Sequence, residues 1–80
     1  MSFILYGRAW CHLCDEMRAE LEPIAQRFGM GIDCIDIDED PALEARYNEL
    51  VPVLTLDGVE LCHYKFDTAA VHAALETRRL

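Results

Sequence analysis

The chain has 80 residues, 52% of them apolar, and a net charge of −8 from seven cations and fifteen carboxylates. That length is one domain near the lower limit of independent folding, and the apolar content argues against disorder. The charge argues against nucleic acid and anionic membranes as partners, because phosphate binding needs clustered Lys and Arg. No apolar run is long enough to span a bilayer.

The first residues carry no basic region followed by an apolar stretch, so no signal peptide is read there. The expected setting is the reducing cytoplasm. Four cysteines fall at positions 11, 14, 34 and 62. Their uneven spacing suits one reactive pair and two packing cysteines better than a disulfide framework.

Residues 2–6 form an apolar run that predicts a central strand. Gly7-Arg8-Ala9-Trp10 is a connecting loop. From Cys11 to about Phe28, Cys14, Met17, Leu21, Ile24, Ala25 and Phe28 recur at helical spacing on one face. Pro23 inside this pattern predicts a kink or break, and Gly29 and Gly31 end it. Residues 32–37 predict a second strand, parallel to the first because a helix connects them.

Asp40-Pro41 starts a short helix, with Asp40 as N-cap and Pro41 at the first helical position. Leu43, Tyr47 and Leu50 would line its inner side. Two β runs, 53–56 and 59–62, flank Asp57-Gly58, the signature of a type I′ hairpin. A last helix runs from about Thr68 to Arg78. Asp67 caps it, Phe66 and Val71 occupy the staple positions, and Arg78 and Arg79 complement its dipole. The order is β-α-β-α-β-β-α, an α/β domain over 1–80 with a four-stranded mixed sheet between helices.

Cys11-His12-Leu13-Cys14 carries the chemistry. A Cys-x-x-Cys pair directly after a strand and on the first turn of a helix is the arrangement of thiol–disulfide exchange. Unpaired N–H groups and the helix dipole stabilise a thiolate at Cys11. Cys14 lies on the inward stripe. The expected roles are attack by an exposed Cys11 and resolution by a more buried Cys14. His12 either supports the Cys11 thiolate or is a solvated helix-start residue. Asp15 and Glu16 suit the dipole but oppose a thiolate. Pro52 follows Val51 at a helix-to-strand connection, where a plain helix stop is the ordinary meaning.

The element order, the cysteine pair at the first strand–helix junction, Asp36-Ile37-Asp38 and Val51-Pro52-Val53 together resemble the thioredoxin fold. More specifically, they resemble small bacterial glutaredoxin-like proteins. Trp10 looks like the tryptophan that precedes the pair in thioredoxins, and Arg8 like the basic residue before it in many glutaredoxins. The resemblance implies a cis Pro52 lying against the cysteines. It also implies a Val51 backbone that pairs with an extended substrate segment.

The chain departs from glutaredoxins in having His12-Leu13 between its cysteines, and Leu50 where a threonine is usual. The glycine and paired-aspartate turn that holds glutathione is replaced by residues 63–67, where only Asp67 stands in. Arg8 and Lys65 are the cations placed to receive a substrate carboxylate; solvated charge is the alternative.

The expected function is that of a cytoplasmic, monomeric dithiol–disulfide oxidoreductase in cell redox homeostasis. Cys11 and Cys14 are catalytic, and Arg8, Trp10, His12, Val51, Pro52, Lys65 and Asp67 contact substrate. Its partners would be a disulfide-containing protein or a glutathione mixed disulfide, and an external reductant. No cofactor is required and no metal site is expected; glutathione is a possible reductant. The alternatives are a non-catalytic binding module of the same fold and a metal or iron–sulfur carrier using Cys11.

Overall fold

A computed structural model describes the backbone of residues 2–79 and the side chains of residues 2–77. Its elements are β1 (Ser2–Gly7), α1 (His12–Arg27), β2 (Gly31–Asp36), a 3-10 turn (Ile37–Glu39), α2 (Pro41–Tyr47), β3 (Val53–Leu56), β4 (Val59–His63) and α3 (Thr68–Arg79). The strands form one sheet in the order β2-β1-β3-β4. β1 pairs parallel with β2 and antiparallel with β3, and β3 pairs antiparallel with β4. The apolar first strand is therefore interior, as its composition predicts.

The two faces of the sheet bury different elements. Phe3, Leu5, Leu54 and Leu56 pack with Met17, Leu21 and Ala25 of α1 and with Val71 and Leu75 of α3. A smaller cluster holds Ile37, Tyr47 and Val53, with Tyr6, Leu43 and Val51 packed against it. Tyr6 and Tyr47 stack there with ring centroids 4.7 Å apart. Alternation along β1 and β3 sends successive side chains to opposite faces, so one strand serves both layers.

The local signals hold at several ends. Asp57 and Gly58 both have positive φ, 53° and 80°, as a type I′ turn requires. Asp40 Oδ1 accepts from Ala42 N–H at 2.9 Å, and Asp67 Oδ1 from Ala70 N–H at 3.0 Å. Phe66 packs on the cluster that holds Val71. Arg78 and Arg79, expected to complement the last turn, lie outside the described side chains.

Three expectations need correction. Pro23 does not break α1, which runs unbroken to Arg27. Pro23 and Ala19 are both exposed, so water can satisfy the carbonyl that the proline leaves free. Leu50 does not line α2, because that helix ends at Tyr47; Leu50 is 38% exposed. Cys34 does not pack: it is exposed on β2, an edge strand. Tyr64, just past the end of β4, is exposed. Among the described residues, no helix is long and apolar enough to cross a membrane.

Candidate active site

The topology brings the sequence motifs to one end of the sheet. Tyr6 of β1 pairs with Val53 of β3, and Val53 pairs with His63 of β4. The chain therefore leaves β1 toward the cysteines beside the point where Pro52 enters β3. Gly7 pairs with Asp36, which puts the end of β2 at the same edge. This edge lies beyond the carboxyl ends of two parallel strands, where open α/β sheets place their sites.

Cys11 is the N-cap of α1, with extended backbone at φ −102° and ψ 108°. Its Sγ accepts the N–H of Cys14 at 3.2 Å, which uses one of the unpaired donors of the first helical turn. The Cα atoms of Cys11 and Cys14 are 5.2 Å apart, and their sulfurs are joined as a disulfide. Cys14 is buried and Cys11 only partly so, which matches the expected asymmetry. The burial of Cys14 depends on Gly7: a Cβ at Gly7 would lie 2.9 Å from Cys14 Sγ.

The surroundings of the pair are mixed. Trp10 is fully exposed and has a positive φ of 62°, so the indole stands out beside Cys11. His12 is exposed on the first turn. The Val51–Pro52 peptide bond is cis. Pro52 is buried, and its carbonyl accepts the N–H of Tyr64 at 2.8 Å, extending the β3–β4 pairing past the strand ends. Tyr64 also has a positive φ, 66°.

The two cations lie on opposite sides. Lys65 lines a cleft of about 320 Å3 with Leu13, Glu16 and Tyr64. Arg8 lines another, of about 250 Å3, with Cys14, Arg18, Cys34 and two aspartates. The Arg8 guanidinium is engaged: Nε donates to Asp38 Oδ1 at 3.1 Å, and Nη2 donates to Asn48 Oδ1. Asp67 spends a carboxylate oxygen on the α3 cap.

The contacts that Gly7, Asp38, Asn48 and Tyr64 make at this edge are not foreseen from the sequence. Only Gly7 carried a legible signal, a glycine between a strand and a reactive pair, where close approach is a common reason for the residue. The other three depend on contacts between segments far apart in sequence.

Cys62 is half-buried against the core. Burial pushes its thiol pKa up, and the Asp67 and Glu60 carboxylates add to that, against an opposing N–H bond from Asp67.

A family profile described as "Glutaredoxin-like domain (DUF836)" matches residues 2–76. The solution structure of protein Ne2328 from Nitrosomonas europaea is similar at 37% identity and a TM-score of 0.82, covering 91% of this chain and 88% of that one. The X-ray structure of target protein XcR50 from X. campestris is 38% identical, with a TM-score of 0.71 over 95% and 97% of the two chains. Thioredoxin 1 of Thermosipho africanus, at 22% identity and a TM-score of 0.66 over the full length of both chains, shares the fold. So does reduced Escherichia coli glutaredoxin, at 19% and 0.63 over 96% and 95% of the two chains. With its mixed sheet, flanking helices and cysteine pair at the first strand–helix junction, the chain belongs to the glutaredoxin-like domain family and has the thioredoxin-like fold.

Proposed function

We propose that this protein is a dithiol–disulfide oxidoreductase in which Cys11 attacks and Cys14 resolves. The carrying observation is the position of Cys11 Sγ as N-cap of α1, accepting the Cys14 N–H at 3.2 Å, with Cys14 buried behind it. In the reduced protein the same N–H and the helix dipole favour a thiolate at Cys11.

The reaction balances as two exchanges. Cys11 thiolate attacks one sulfur of a substrate disulfide, forms a mixed disulfide and releases the other sulfur as a thiolate. Cys14 gives up its proton and attacks Cys11 Sγ, which expels the second substrate thiolate. The substrate gains two electrons, and the protein is left with a Cys11–Cys14 disulfide. An external dithiol, or two equivalents of a thiol such as glutathione, restores it. No organic cofactor enters this cycle.

Trp10, Val51 and Pro52 form the substrate platform, with His12 at its rim. An extended substrate segment pairs with the Val51 backbone as a short added strand. Lys65 supplies a cation on the α3 side. Asp67, already committed to its cap, offers its remaining oxygen to a substrate ammonium or N–H group. The partner is a disulfide-containing protein or a glutathione mixed disulfide, met by a monomer in the reducing cytoplasm.

The test is a redox titration of the Cys11–Cys14 pair run against glutathione and against thioredoxin with its reductase, together with turnover of a model disulfide. Reversible two-electron titration and turnover that is lost in Cys11→Ser support the reading. A pair that never exchanges with either couple would mark a non-catalytic binding module. Metal retained through Cys11 in anaerobically purified protein would mark a carrier.

A further inference from the structure

Arg8 bridges the two loops that carry the site. It stands three residues before Cys11, on the chain leaving β1. Its partner Asp38 belongs to the turn after β2, and its partner Asn48 is the C-cap of α2, three residues before Val51. One planar group thus contacts the segments that precede both halves of the active edge. Asp38 is itself held, since its N–H donates to Asp36 Oδ1 at 2.9 Å. The Arg8 side chain is only 30% exposed.

Resting on the exchange reading above, we propose that Arg8 is a positioning residue. Its fork to Asp38 and Asn48 holds the Cys11 loop at a fixed distance from Val51–Pro52, and it does not receive a substrate carboxylate. A half-exposed ion pair contributes little to global stability. Its two-sided geometry matters more, because guanidinium offers two N–H edges in a rigid plane and an ammonium does not. The nearby Trp10, in a strained backbone conformation, gives the loop a reason to relax once the fork is cut.

The two roles separate experimentally. Arg8→Lys, Arg8→Met and Asn48→Ala are assayed on two disulfide peptides, one with a free carboxylate and one amidated and uncharged. Positioning predicts that Arg8→Lys and Asn48→Ala each lower kcat/KM on the order of 10-fold on both peptides, short of the ~100-fold that a 1 Å misplacement can cost. Arg8→Met combined with Asn48→Ala loses no more than Arg8→Met alone. Circular dichroism confirms that each variant is folded.

Three results overturn the proposal: full activity in Arg8→Lys, a loss confined to the carboxylate peptide, or unchanged or faster turnover in Asn48→Ala, where the cation is freed. Cys11→Ser run in parallel separates the two readings. If it still reduces both peptides, the exchange mechanism fails and takes Arg8's role with it.

Discussion

Gly7 and Cys14 are in direct contact: a methyl added at Gly7 would meet Cys14 Sγ at 2.9 Å and Cys14 Cβ at 3.3 Å. The last residue of β1 therefore sets how deeply Cys14 sits. Because Gly7 lies in a paired strand and Cys14 in the first turn of α1, neither can yield without shifting an element. Gly7→Ala is expected to destabilise the protein by about 1–3 kcal/mol, the usual cost of overpacking. Urea unfolding of the oxidised protein checks this. Gly31→Ala is the comparison, because its nearest neighbour is the small side chain of Ser2.

Trp10 combines full exposure with a left-handed backbone, which has a cost for any residue with a Cβ. It has no packing to lose. Trp10→Gly is expected to raise Tm by a few degrees. The same change should raise KM for a protein disulfide, since it strips the indole from the proposed platform. Thermal unfolding and steady-state kinetics read the two effects separately.

The two remaining cysteines should react differently. A raised pKa leaves fewer thiolates at a given pH, and the thiolate is the reactive form. Cys62, with its pKa pushed up by burial and by Asp67 and Glu60, should alkylate slowly at neutral pH and faster only as pH rises through its elevated value. Cys34 is exposed and should be labelled first. Iodoacetamide labelling of the oxidised protein across a pH series, read by peptide mass spectrometry, checks the order.

Asp67 closes the first turn of α3 through Ala70 N–H. Asp67→Ala should cost about 1 kcal/mol of stability, and Asp67→Asn much less, because asparagine caps nearly as well. A rise in KM for glutathione disulfide in Asp67→Asn at unchanged stability would assign the carboxylate to substrate. Chemical denaturation and turnover of glutathione disulfide supply the two readings.

What could be read in the sequence was governed by local codes. Asp57-Gly58 dictates its turn by backbone sterics alone, and Asp40-Pro41 dictates a helix start. Cys11 and Cys14 fall one turn apart on a helix whose stripe already points Cys14 inward. The helix-spaced residues Met17, Leu21 and Ala25 all reached the core. Pro23 misled because its effect depends on whether the freed carbonyl meets water, which periodicity does not reveal. Cys34 misled because an apolar strand reads alike at the centre and the edge of a sheet. Arg8 was visible as a charge near the site, while its partners, 30 and 40 residues away, required the fold.

The division of labour between the cysteines is tested most directly by trapping. Cys11→Ser and Cys14→Ser are each reduced, mixed with an excess of a disulfide peptide and quenched with acid, and adducts are mapped by mass spectrometry. Cys14→Ser is expected to accumulate a stable mixed disulfide at Cys11, while Cys11→Ser should form little adduct at buried Cys14. Rapid adduct formation at Cys14 in Cys11→Ser, with none at Cys11 in Cys14→Ser, would reverse the proposed roles.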